Sequence, residues 1–371
     1  MKIAIFSSTI SPTDGYGNIT YELCQALYSR GINFTLFLPK DQKRKNDYSF
    51  EIRYELPRYI YRIKTPHFLC YFKNIDLRGF TLVHSLFDFP YCWLAARLAK
   101  KYNLPFIMGA QGTYGVLPLT YWPEKYFLEF AYSNAKIILA PSQFTKNKIL
   151  EFSHYKNLPI EILHNGVNFE RFNKELESEA LQSKYAGKKI LLTVGGLKPR
   201  KGQDLVIKAL PQIIKNEPDI KYLIIGGGGW ISHLKNLVQE FNLENYVDFL
   251  GVVRDDELVK YFQLCGIYIH TPRVENLNFE GFGIVYLEAG AAGKPIVATD
   301  AGGIKDAVID RKTGLIVQDG DIVGIADAVI NILQNPELKV QLAKNGLEYA
   351  KKHKWPDIAD QFINYYLKFT C

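Results

Sequence analysis

The sequence predicts an α/β protein made of two doubly wound domains, each a parallel sheet with helices on both faces. Three observations carry this. Apolar runs of strand length alternate with amphipathic runs of helix length from one end of the chain to the other. At 371 residues the chain is too long for one ordinary core and suits two domains of about 150–200 residues. Glycine and charge gather in the loops that follow strands, where doubly wound sheets bind ligands.

In the first half, strands are expected at 3–6, 34–38, 82–84, 105–109, 137–140 and 161–164, with helical periodicity at 19–29, 92–101 and 144–152 between them. A charged stretch poor in apolar residues, 168–188, reads as a junction, so the domains are set at 1–168 and 189–352. The second half repeats the plan with strands at 189–194, 222–225, 247–250, 267–270, 295–298 and 315–317. Residues 353–371 read as a helix opened by Pro356 with an apolar face at Ile358, Phe362, Tyr365 and Tyr366. Taken by itself, that helix closes the second core.

Hydrophobic content of 47% and charged content of 22% describe a soluble globular protein. The start, MKIAIFSS, reads as a buried strand rather than a signal peptide or a membrane span. Five scattered cysteines without metal-ligand spacing suggest free thiols in a reducing cytoplasm and no metal site. Residues 1–169 hold 20 Lys and Arg against 12 Asp and Glu, whereas residues 170–371 hold 25 against 26. The excess is densest from Gln42 to Lys64, where Lys43, Arg44, Lys45, Arg58, Arg62 and Lys64 mix with tyrosines. Such a surface suits an anionic membrane, which would make the protein peripheral at its inner face; a solvated loop followed by an edge strand explains it as well. Nucleic acid is not an expected partner.

The loops carry the chemistry. In NFEGFGIVYLEA, Glu280 and Glu288 stand eight residues apart around the start of a helix near Gly283. At about 1.5 Å and 100° per residue the pair spans on the order of 12 Å and diverges by roughly 80°. Glycosidase carboxylates lie closer, across one bond. This spacing suits the two ends of a long ligand whose anionic middle lies on the helix N-terminus, as a nucleotide diphosphate sugar would. GGLKPRKG puts Arg200 and Lys201 where cations can stabilise charge growing on a departing diphosphate. SPTDGYGN offers Gly15 and Gly17 ahead of a helix, for phosphate or for a bare turn. The four glycines of GGGGW permit close ligand approach or a plain connection. The histidines form no catalytic set and read mostly as satisfied structural residues, and no serine sits in a GxSxG elbow.

With these residues assembled, the chain resembles the retaining glycosyltransferases of family four, which have the GT-B architecture of two Rossmann-like domains facing a central cleft. Glu280 and Glu288 match the family's E-x7-E motif, and LEAGAAGKPIVATDAGGIKDAVIDRKTGLIV continues in register. VGGLKPRKGQDLVIKAL, FLGVVRDDELVKYF, APSQFTKNKIL and ILHNGVNFERF are also similar to family segments. The resemblance implies that Glu288 binds the ribose and Glu280 the transferred sugar, while the backbone of Gly281, Phe282, Gly283 and Ile284 faces sugar and diphosphate. It implies that Lys201 neutralises the diphosphate, that the backbone near Val253 borders the base, and that Gly15 and Gly17 face the donor from the first domain. It also implies that residues 353–371 cross back to the first domain. No cofactor is implied beyond a UDP- or GDP-sugar donor, and the acceptor would be a glycan or lipid-linked hydroxyl of envelope synthesis.

Two positions depart from the family. Gly196 stands where an arginine is common, which leaves Lys201 with only Arg200 for help. Gln111, in GAQGTYG, stands where a histidine often lies beside the sugar, and glutamine cannot act as a base near neutral pH. The alternatives are a phosphorylase or epimerase on the same fold, or a binding subunit that has lost catalysis. A nicotinamide enzyme fits less well, because FTLFLPKD ends in no clean ribose-binding acid.

Overall fold

The structure is a computed structural model and describes residues 1–11, 15–43, 48–58, 75–87, 89–174, 176 and 178–370. The chain divides into two compact units, the first Met1–Gly166 with Trp355–Cys371 and the second Val167–Lys354.

The first unit holds β1 (Ile3–Phe6), β2 (Phe34–Pro39), β3 (Glu51–Leu56), β4 (Leu82–Ser85), β5 (Phe106–Gly109), β6 (Ile137–Ala140) and β7 (Ile160–Ile162). They form one parallel sheet in the order β3-β2-β1-β4-β5-β6-β7. Every residue of β1, β2, β4, β5 and β6 is buried, because helices cover both faces, and such strands read as unbroken apolar runs. The order reverses between β1 and β4, so loops leaving the carboxyl ends of these neighbours diverge and open a crevice.

Strand β3 is the edge strand that follows the basic loop, and only Leu56 in it is buried. Of the basic cluster, Arg44, Lys45, Arg62 and Lys64 lie outside the described residues. Arg58 stands 3.5 Å from Asp41, and Arg53, on β3, is 2.8 Å from Glu51.

The second unit holds β8 (Lys189–Val194), β9 (Ile220–Ile225), β10 (Val247–Gly251), β11 (Ile267–His270), β12 (Ile296–Thr299) and β13 (Gly314–Val317). They make a parallel sheet in the order β10-β9-β8-β11-β12-β13, with its own reversal between β8 and β11. Cores lie on both faces, one around Tyr268, Phe282 and Tyr286 and the other around Leu210, Ile224 and Val329.

The junction differs from the sequence reading. Residues 169–188 are not a free junction: Phe169, Phe172 and Tyr185 are buried in the second core, and Arg171 pairs with Asp255 at 2.6 Å. The second unit therefore begins at Val167 rather than at residue 189. The final helix, Trp355–Thr370, packs in the first unit, to which the family resemblance assigns it, and turns Ile358, Phe362 and Tyr366 inward. Its Tyr366 hydroxyl lies 2.8 Å from His84 Nδ1, and Asp360 accepts from Arg30 at 2.8 Å. Gly166 leaves room for the Trp355 indole, since a Cβ there would come within 2.7 Å of it.

Candidate functional site

In the second unit, two loops at the carboxyl ends of β8 and β11 are stapled together. Thr271 donates its hydroxyl to the Gly202 carbonyl at 2.8 Å, and the Arg273 amide donates to the Arg200 carbonyl at 2.9 Å. The approach is so close that a Cβ on Gly202, whose φ is +72°, would lie 1.7 Å from the Thr271 carbonyl oxygen. Only glycine fits there. Arg273 also pairs with the buried Asp204, which locks the first turn of helix Gln203–Asn216 to the same loop.

This staple sets Arg200 and Lys201 on Glu280. Lys201 Nζ lies 2.6 Å and Arg200 Nη1 3.0 Å from the same oxygen, Glu280 Oε2. A carboxylate's second oxygen is an acceptor as well. Burial would push the Glu280 carboxyl up, but Lys201 first and Arg200 next pull it down to about 2. Burial lowers the pKa of Lys201, opposed by Glu280. Beside them His270, wholly buried at the end of β11, is pushed down to about 3 by burial and by Lys201. Neither of its ring nitrogens has a hydrogen-bond partner among the described residues, so it is not the satisfied histidine the sequence suggests.

Glu280 sits in the loop before helix Ile284–Ala291, which starts after Gly283 as the sequence predicts. Its carbonyl accepts from the Gly303 amide at 2.8 Å. Glu288 lies inside that helix and is buried, as are Phe282 and the helix's Tyr286. Gly281 and Ile284 flank these at intermediate exposure, and Val253 packs on the second core beside the exposed Val252.

The glycine runs serve the fold. The Leu197 amide donates to the Gly227 carbonyl at 2.9 Å, and a Cβ on Gly226 or Gly228 would strike the backbone of Gly195 or Leu197 at 2.0 or 2.3 Å. Close loop packing thus accounts for Gly226 and Gly228. Gly196 is different, because a Cβ there would meet only the Gly227 carbonyl, at an ordinary 3.7 Å. Gly196→Arg should therefore fold with an unchanged melting temperature, which scanning calorimetry measures.

In the first unit, Gly15 and Gly17 open helix Gly15–Ser29, and a Cβ on Gly15 would meet nothing within 4 Å. The protein's own atoms do not demand glycine at that position. Gln111, past β5, accepts on Oε1 from Asn165 at 3.0 Å, while its carbonyl accepts from the Tyr16 hydroxyl at 3.4 Å. A cavity of about 260 Å³ opens nearby, lined by the rings of Tyr16, Phe87, Phe89, Tyr91 and Tyr114 with Ser8 and Gln42. These residues follow β1, β2, β4 and β5, so the cavity lies at the sheet's switch point. Sequence reasoning missed it, although aromatic residues in successive post-strand loops were visible. Among the described residues, no three His, Cys, Asp or Glu side chains gather as metal ligands, and no helix is long and apolar enough to cross a membrane.

Comparison with known proteins adds independent findings. The family model described as Glycosyl transferases group 1 matches residues 175–349, and that described as Glycosyltransferase Family 4 matches residues 13–171. The chain is 30% identical to an uncharacterised glycosyltransferase of Methanocaldococcus jannaschii, over 76% of this chain and 74% of that protein. It is 29% identical to the GDP-mannose-dependent alpha-(1-6)-phosphatidylinositol monomannoside mannosyltransferase of Mycolicibacterium smegmatis, over 59% of this chain and 58% of that one. It thus spans little more than half the length of that relative. Among solved structures, Anabaena HepE in complex with UDP superposes with a TM-score of 0.78 at 18% identity, covering 99% of this chain and 100% of that one. Sucrose-phosphate synthase from Thermosynechococcus elongatus superposes with a TM-score of 0.80 at 23% identity, over 99% and 98%. At these identities the likeness concerns the fold.

Proposed function

The chain belongs to glycosyltransferase family four and has the GT-B fold, and from that premise we propose that it transfers a sugar from a UDP- or GDP-sugar with retention and without a metal ion. The observation that carries this reading is the convergence of Lys201 and Arg200 on Glu280 at the entry of helix Ile284–Ala291. These partly buried cations would face the place where the diphosphate gains charge, and a carboxylate oxygen of Glu280 would take a sugar hydroxyl. Glu288 takes the ribose hydroxyls, the backbone from Gly281 to Ile284 takes the sugar and diphosphate, and the segment at Val253 borders the base.

In the reaction, the bond from the anomeric carbon to the phosphate oxygen breaks and the acceptor oxygen bonds to the same face of that carbon. The acceptor's proton passes to the departing phosphate oxygen. Retention in this form needs no enzyme base, which suits the glutamine at position 111. The aromatic cavity of the first unit would receive the acceptor, whose ring can rest its C–H face on tyrosine and phenylalanine. A relative that acts on a phosphatidylinositol mannoside and the basic balance of the first half support a lipid-linked acceptor at a membrane surface.

A thermal-shift screen with UDP-, GDP- and ADP-sugars tests the donor class: a ligand at a hundred times its Kd should stabilise by about 2.7 kcal/mol. Nuclear magnetic resonance of the product then reads the anomeric configuration, and inversion would end the retaining reading. Glu288→Ala should weaken donor binding by about 1.5–3 kcal/mol in calorimetry, since ribose hydroxyls lose a charged acceptor. Equal affinity would remove Glu288 from the site.

A further inference from the structure

The second helix layer of the first unit presents an unusual face. Helix Glu124–Asn134 has two carboxylates, Glu124 and Glu129, and both are buried, with Glu129 accepting from the His154 amide at 2.7 Å. Tyr132 of this helix is buried, but three aromatics at and before its start point outward: Tyr126 is 62% exposed, and Trp122 and Tyr121, just before the helix, are 81% and 41% exposed. Residues 122, 126 and 130 recur every fourth position, so Phe130 extends the same stripe. Helix Tyr91–Lys101 packs alongside, with Trp93 against Phe127 at 4.8 Å. It sets Arg97 and Lys100 over the Phe130 ring at 5.6 and 5.7 Å. The charged side chains these two helices leave accessible are all cations, namely Arg97, Lys100, Lys101 and Lys125. A surface meant only for water would keep its acids outward and its tryptophan inward.

We propose that this face, with Trp122 and Tyr126 at its centre and Arg97 and Lys100 at its rim, docks on an anionic lipid surface. Tryptophan and tyrosine have an apolar body and a polar tip and settle at the level of lipid headgroups. Cations beside them add attraction to anionic headgroups, and inward acids remove the opposing repulsion. The proposal rests on the membrane-surface reading above only for its purpose; binding to vesicles is measured without any transfer.

The test uses the whole chain with phosphatidylcholine vesicles that contain or lack phosphatidylglycerol. Of the four tryptophans, Trp93 and Trp355 are buried and Trp230 stacks on His233, so Trp122 should dominate any change in emission. Expected results are sedimentation with the anionic vesicles, a blue shift, and quenching by brominated lipid that Trp122→Phe abolishes. Trp122→Ser with Tyr126→Ser should weaken binding about tenfold or more, and Arg97→Gln or Lys100→Gln about fivefold each. Binding should fade as salt shortens the Debye length from about 10 Å at 0.1 M to about 3 Å at 1 M. Equal sedimentation of the Trp122→Ser, Tyr126→Ser variant, or none of the unaltered protein, overturns the proposal. So does light scattering that shows a dimer which this variant splits, because the face would then join two copies of the chain. Vesicle binding without any stabilisation by a nucleotide sugar would support this surface and sink the donor reading instead.

Discussion

Lys201→Ala is expected to lower turnover about a hundredfold at saturating donor, a loss of about 2.7 kcal/mol from the transition state. The reason lies in where charge appears. The diphosphate gains negative charge as its bond to the sugar breaks, and a partly buried cation stabilises that growth more than it stabilises the intact donor. Lys201 is the deeper of the two cations, with a side chain 15% exposed against 25% for Arg200, and it makes the shorter contact with Glu280. Its loss also removes the largest force that keeps the buried Glu280 carboxyl ionised. Both effects fall on kcat. Arg200→Ala should cost less, since that guanidinium holds the same oxygen from further out. Steady-state kinetics on the two variants decides the point: an unchanged kcat in Lys201→Ala would take the lysine out of the chemistry, and a raised KM alone would make it a donor-binding group.

The sheets were legible because parallel strands covered on both faces carry continuous apolar residues, as in Phe34–Pro39 and Ile296–Thr299. Strand β3 was hidden among basic and aromatic residues because it lies at the edge and buries only Leu56. The junction was misjudged for a related reason: Phe169, Phe172 and Tyr185 are a few apolar anchors within a charged stretch, and composition averages them away. An apolar face on the last helix says that it is buried, not against what; His84 and Arg30, which meet it, lie more than 300 residues from its own Tyr366 and Asp360 only in the second case and 282 away in the first. In the site, the two glutamates could be read from their spacing, as could the loop bearing Arg200 and Lys201. That both cations meet on Glu280, 79 and 80 residues away, depends on the Gly202 and Thr271 staple, and no local pattern reports such a contact.

Acid should destabilise both units from pH 6.5 downward, through one buried histidine in each. Burial holds His84 in the first unit and His270 in the second at about 3, against an ordinary value of 6.5. Between those values the unfolded chain takes up a proton that the folded chain refuses, so stability rises with pH. The contribution of each neutral imidazole is complete above pH 6.5 and is lost as pH falls towards 3. At about 1.4 kcal/mol per pH unit, each histidine costs roughly 3 kcal/mol by pH 4.5. Glu280, held at about 2, adds its own loss only below its ordinary value of 4.5 and so leaves this window to the histidines. The two differ in what they would lose by substitution. His84 Nδ1 is tied to the Tyr366 hydroxyl at 2.8 Å, whereas His270 has no partner on either nitrogen among the described residues and lies beside the rings of Tyr268 and Tyr286. Replacing an unpartnered buried polar group by an apolar one is nearly neutral or stabilising. His270→Leu should therefore melt at or above the unaltered protein at pH 7.5 and lose less stability by pH 4.5. Scanning calorimetry across that range measures both, and an acid slope that His270→Leu leaves unchanged would mean that the proton is taken up elsewhere.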